Sequence, residues 1–113
     1  MENEIISKEL LSEVLSCEII EVYINEDSNT NNISFDWISI QSKHRAEINI
    51  HELAHRCKEW AINNEYTILS GYKTGRGYVY IREIDSPAGW QQKTEPEAIF
   101  KACQWIYDNK DKG

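Results

Sequence analysis

Asn49-Ile-His-Glu-Leu-Ala-His-Arg-Cys-Lys-Glu-Trp-Ala61 sets Ile50, Leu53, Ala54, Cys57, Trp60 and Ala61 on one side of a helical wheel. Asn49 stands where an N-cap side chain accepts free amides, and Glu52 three residues on completes a capping-box pattern. Ile48 and Leu53 are spaced for the hydrophobic staple. The spacing predicts a helix from about Ile50 to Asn63, stopped by Asn63-Asn64.

On both sides of this helix the period falls to two. Upstream, Glu18–Ile24 is rich in β-branched and aromatic residues and reads as a strand. Asn25–Asn32 is a polar run of turn formers, read as a loop. Ile33–Ile40 alternates, with Ile33, Phe35 and Trp37 on one face. Residues 41–49 fit either a loop or a short third strand at 46–50. Downstream, Tyr66–Gly71 and Gly77–Ile84 read as strands around the glycine-punctuated turn Lys73–Gly77, and Asp85–Lys93 as a loop.

Two further helices close the ends. Ser7 caps a stripe of Leu10, Leu11, Val14 and Leu15, with Ile6 placed to staple onto Leu11. Thr94-Glu-Pro-Glu97 is a second capping box, with Pro96 tolerated in the first turn. It precedes a stripe of Ala98, Ile99, Ala102, Cys103 and Ile106, which frays from Asp108 onward. The expected fold is α+β: one domain over residues 1–113, a two-layer sandwich of two to three helices on an antiparallel sheet of four or five strands. The ββαββα order of residues 18–113 is compatible with a permuted ferredoxin-like sheet in which Glu18–Ile24 takes one edge. No internal repeat and no low-complexity segment stands out.

Charge is segregated along the chain. Residues 1–27 carry eight acids against Lys8 alone, and the remaining acids and bases balance, so the whole net charge of −7 lies on the first quarter. That segment repels phosphates and attracts basic surfaces. Composition is that of an average globular protein, with 41% hydrophobic and 27% charged residues, which excludes a disordered or fibrous chain. No run approaches the roughly 20 apolar residues of a membrane span. Met1–Leu10 lacks the basic and apolar regions of a secretory signal. Three cysteines without framework spacing point to a reducing cytosol.

His51-Glu-Leu-Ala-His55 matches H-E-x-x-H, in which two histidines one helical turn apart bind zinc and the glutamate activates its water. Three features oppose that reading. A cap explains Glu52, His51 and His55 point away from the apolar face, and no third ligand follows at metzincin spacing, Glu83 being an unselected candidate. No metal and no cofactor is expected. Arg76-Gly-Tyr-Val-Tyr-Ile81 resembles the RNP1 strand of RNA-recognition modules, with Tyr78 and Tyr80 sharing an exposed face with Arg76 and Arg82. It departs from that pattern at Val79 and beyond Ile81, and the acidic total disfavours nucleic acid. Cys57 and Cys103 fall on apolar helix faces and read as core, leaving Cys17 as the accessible thiol. Trp60 reads as core and Trp105 as a boundary residue. Trp90 stands in the polar run 88–93, where it either packs back onto the sheet or serves as an exposed anchor for a protein partner.

The segments Asn49-Ile-His-Glu-Leu-Ala-His-Arg-Cys-Lys-Glu-Trp-Ala61 and Thr94-Glu-Pro-Glu-Ala-Ile-Phe-Lys-Ala-Cys-Gln-Trp-Ile106 resemble pieces of uncharacterised accessory proteins of phages and prophages from AT-rich bacteria. The resemblance covers about a quarter of the chain and transfers no catalytic residue. It implies a small accessory protein of a mobile element. The expected function is non-enzymatic: binding and inhibiting a host or defence-system protein, such as a nucleic-acid-handling complex with a basic surface. Glu13, Glu18, Glu21, Glu26 and Asp27 are the expected contacts, with Trp90 as anchor. A nucleic-acid-binding module and a small zinc hydrolase are the alternatives, and a homodimer is a further partnership open to the chain.

Overall fold

The strands pair as two separate antiparallel meanders. The computed structural model describes residues 6–24, 32–84 and 90–110. In chain order these form α1 (Lys8–Leu15), β1 (Glu18–Ile24), β2 (Asn32–Ser39), β3 (Ser42–Asn49), α2 (Ile50–Asn63), β4 (Ile68–Lys73), β5 (Arg76–Ile81), β6 (Trp90–Gln92) and α3 (Glu95–Asn109). The class is α+β as expected, but the six strands form two three-stranded sheets, β1-β2-β3 and β4-β5-β6. This corrects the single sheet of four or five strands, and with it the permuted ferredoxin-like arrangement, which needs all its strands in one sheet. The ambiguous stretch 41–49 is the strand β3. Trp90 lies in β6, its backbone opposite Val79, and not in a loop. The loops read at 25–31 and 85–89 lie outside the described residues.

After α1 the chain runs twice through the same order, three strands and then a helix. Each run contains one hairpin with a two-residue turn, the second connection of the first run and the first connection of the second. Ile40-Gln41 (φ 46° and 69°) joins β2 to β3, and Thr74-Gly75 (φ 51° and 76°) joins β4 to β5. Positive φ at both positions matches the twist of the flanking strands. Gly75 adopts it freely, whereas a β-branched isoleucine at φ 46° is strained.

All three caps read from sequence are made. Leu10 N–H donates to Ser7 Oγ (3.1 Å), His51 and Glu52 N–H to Asn49 Oδ1 (2.8 and 3.3 Å), and Glu97 N–H to Thr94 Oγ1 (3.3 Å). The expected reciprocal role of Glu52 is replaced by an i,i+4 pair with Arg56 at 3.4 Å. α3 lies on β4-β5-β6 and packs its other flank on α2, while α1 packs on β1 and α2. Packed on two sides, α3 buries more than a stripe. Phe100, outside the expected set, is 1% exposed. The floor beneath α3 is Val79 and Ile81 of β5. At Gly77 the backbone passes so close under Thr94-Glu95 that a Cβ would collide with it. One buried cluster joins Ile6, Leu10 and Leu11 of the N-terminal turn to Ile33 and Phe35, to Leu53 and Cys57, and to Ile99, Phe100 and Ile106.

Candidate functional site

His51 and His55 lie on the exposed side of α2, as its stripe dictates. Glu52 is turned to Arg56, and His55 Nε2 lies 3.4 Å from Glu59 Oε2. Glu83 accepts from Thr67 N–H (2.6 Å) and Thr67 Oγ1 (2.8 Å), which holds its carboxyl below the usual range. Among the described residues no three His, Cys, Asp or Glu side chains are grouped to hold a metal ion. The two histidines instead form one wall of a groove of about 420 Å³, faced by Tyr72 and by Thr94, Glu95 and Pro96 at the start of α3. Glu95 in that groove accepts a hydrogen bond from Ser70.

The thiols are structural. Cys57 and Cys103 meet in the α2–α3 contact, where Cys103 Sγ donates to the Cys57 carbonyl (3.5 Å). The Cys57 thiol is pushed well above the usual range, first by its hydrogen bond with Cys103 and then by burial. Such thiols are poor nucleophiles. Cys17 is half-buried, and burial raises it as well.

The acidic residues separate into spent and unspent carboxylates. Glu13 is spent inside the fold: it accepts from Trp60 Nε1 (3.1 Å) and pairs with Lys110 (3.3 Å), tying α1 to α2 and to the end of α3. Glu18 and Glu21 are exposed on the outward side of β1, with no ion pair among the described residues. A bulge between Ile19 and Glu21 sets both on that side. Glu26 and Asp27 lie outside the described residues.

Beside Glu21 on the middle strand stands Asp36, a residue the sequence reading passed over. It is 3% exposed although it points outward, because Tyr23 and Arg45 roof it. Tyr23 OH donates to Oδ2 (2.7 Å), and Arg45 donates through Nε to Oδ1 (2.7 Å) and through Nη2 to Oδ2 (3.2 Å). The Arg45 guanidinium also lies 4.5 Å from the centre of the Tyr23 ring. The Arg45 hydrogen bonds, then that from Tyr23, lower the Asp36 carboxyl to about 2. The same hydrogen bond raises the Tyr23 phenol. An acid directly opposite a base, Asp36 and Arg45, with Tyr23 diagonal to the acid on the other neighbouring strand, was the available signal, but it needed the register to be read.

The second sheet presents a different outward side. Its register pairs Leu69 with Tyr80, Gly71 with Tyr78 and Lys73 with Arg76, all facing away from α3, and Arg82 continues that side past the end of β5. The Tyr78 and Tyr80 ring centres are 6.1 Å apart at 61°. Tyr78 lies across Gly71, where any Cβ would meet its ring, so the glycine lets the ring lie down on the sheet. Leu69 and Tyr80 are 46% and 45% exposed. The four residues expected on this face, Arg76, Tyr78, Tyr80 and Arg82, are therefore brought together.

The fold and its surfaces define a small α+β protein with one acidic and one tyrosine-rich open sheet face. No protein-family model matches the chain, and neither a curated protein nor a solved structure matches it. Among the described residues no helix is long and apolar enough to cross a membrane.

Proposed function

We propose that the protein is a non-enzymatic binding protein whose acidic surface engages a basic surface on a partner protein. The observation that carries this is the state of Glu18 and Glu21: exposed, unpaired among the described residues, and on the outward side of an edge strand. They belong to the segment that holds the entire net charge of −7. The internal partners of Glu52 and His55 favour binding over hydrolysis as the role of this chain. The resemblance of two helix segments to phage and prophage accessory proteins supports a host or defence-system protein as the target. A nucleic-acid-handling complex, whose channel must be basic, fits the charge, and occupation of that channel inhibits it.

Charge of this kind acts mainly on the association rate and is screened over about 8 Å at 0.15 M salt. The test is capture of the partner from host lysate, followed by association kinetics with the quadruple variant Glu18→Gln, Glu21→Gln, Glu26→Gln, Asp27→Asn. The expected result is an on-rate lower by on the order of tenfold at low salt, with a flattened salt dependence. An unchanged on-rate at low salt overturns the reading.

A further inference from the structure

The outward side of β4-β5-β6 has a chemistry that the acidic reading leaves unused. Three cations, Lys73, Arg76 and Arg82, frame two tyrosines and a leucine. Lys73 and Arg76 have no carboxylate partner among the described residues, and neither is held by a hydrogen bond from its side chain. The nearest acid in sequence, Glu83, is drawn to Thr67. A chain whose net charge is −7 thus keeps one sheet face positive, and that same face carries a tyrosine pair, Tyr80 exposed and Tyr78 half-buried. Solubility does not explain the rings, since exposed aromatic surface works against it.

We propose that this face binds single-stranded nucleic acid. Bases stack on Tyr80 and on the recumbent ring of Tyr78, while Lys73 and Arg76 at one end and Arg82 at the other hold phosphates. The dimensions agree. From Arg76 to Arg82 the strand covers about 20 Å, room for a few nucleotides of an extended strand. The ring centres, 6.1 Å apart, are separated by nearly twice the roughly 3.4 Å between stacked bases. Neighbouring bases must therefore part to use both rings, which a single strand does readily and a duplex does not. Of the acids of residues 1–27, Glu9 and Glu13 belong to α1 and Glu18 and Glu21 to the other sheet, and at 0.15 M salt repulsion between exposed charges decays over about 8 Å. This surface is distinct from that of Glu18 and Glu21, so the two readings fail independently.

The experiment is fluorescence anisotropy of the full chain with end-labelled oligo(U) and oligo(dT) of about twelve nucleotides, within the usual range of single-strand site sizes. Saturable binding to one or both at 0.15 M salt is expected, and tighter binding of oligo(U) than of oligo(dU), which differs from it only in the 2′-hydroxyl, identifies a contact to that group. Three phosphate contacts give a slope of log K against log salt of about −2. Tyr80→Ala weakens binding roughly five- to a hundredfold and Tyr80→Phe does not, because the ring and not the hydroxyl does the stacking. Arg76→Gln reduces the slope by about 0.7. The partly exposed Tyr80 leaves the fold intact in both variants, and Tyr80→Phe with Arg76→Gln report even if Tyr80→Ala misfolds. The quadruple acidic variant binds at least as tightly as the parent. No saturable binding to either oligonucleotide, equal binding by Tyr80→Ala, or loss of a captured protein from Tyr80→Ala without any oligonucleotide affinity each overturns the proposal.

Discussion

The two sheets turn like faces to the core and unlike faces to water. Toward the core, the central strands bury Ile33 and Phe35 in one case and Val79 and Ile81 in the other. Each sheet runs into a helix whose first turn is capped by Asn49 or Thr94. Each helix closes on the same detail, Asn64 and Asn109 donating from Nδ2 to the carbonyls of Trp60 and Trp105 (2.9 and 2.7 Å). Toward water, the first sheet neutralises its central Asp36 under Tyr23 and Arg45, whereas the second leaves Tyr78, Tyr80 and three cations open. Folding dictates the inner pattern, because every apolar group there must find a partner. It leaves the outer pattern free for recognition.

Gly77→Ala breaks the parallel most severely. Its Cβ meets the Thr94-Glu95 backbone, which cannot rotate aside, so the variant loses about 3 kcal/mol or fails to fold, as denaturant melts will show. At Gly71 the obstacle is only the movable Tyr78 ring, and Gly71→Ala costs less. Next come the caps. Asn49 accepts two amides and Thr94 one, so Asn49→Ala is expected to cost about 1–2 kcal/mol and Thr94→Ala about 1 kcal/mol or less. Equal losses in chemical denaturation would show the second bond to Asn49 to be idle. The turns differ in the opposite sense. Ile40 is 92% exposed at φ 46°, and Ile40→Asn is expected to stabilise by about 0.5–1 kcal/mol; in the Thr74-Gly75 turn the second position is a glycine, so only the β-branched Thr74 at φ 51° carries strain of that kind.

The finest contrast is read in acid. Asp36 titrates at about 2 in the fold against an ordinary 3.8, so its stabilising contribution is complete above the ordinary value and is lost as the pH falls toward 2. Glu83, lowered by Thr67, gives the second sheet a shift of the same sign. Asp36→Asn should flatten the acid limb of stability against pH, and Glu83→Gln should leave the Asp36 limb in place. A limb unchanged in Asp36→Asn would mean that Arg45 and Tyr23 do not favour the ionised carboxyl.

Much of this was legible before folding. The three caps, the apolar stripes of α1 and α2 and the alternation of Ile33, Phe35 and Trp37 are local, each readable within one or two turns of chain. Trp60, Cys57 and Cys103 were correctly placed in the core by the same periodicity. The repeated order of three strands and a helix was not legible, because a strand requires only alternation and two copies can meet that requirement with different residues. The grouping of Arg76, Tyr78, Tyr80 and Arg82 was readable because all four lie on one strand and its continuation. Gly71 and Leu69 needed the register.

By itself, then, the sequence determined the three helices and four of the six described strands, β3 being left open and β6 read as loop, together with where the helices begin and the concentration of charge in the first quarter. Tertiary structure alone decided that the strands form two sheets. Alternation reports that one side of a strand is buried but not which strand lies beside it, and here the helices packed between and upon the meanders keep them apart. It also decided which acids remain free. Glu13 and Trp60 stand 47 residues apart, and only the packing of α1 on α2 makes them partners. Asp36 looks in sequence like any other surface carboxylate until Tyr23 and Arg45 arrive from the strands on either side and close over it. An exposed charge is worth little and a roofed one must be paired, and that distinction depends on neighbours distant in the chain.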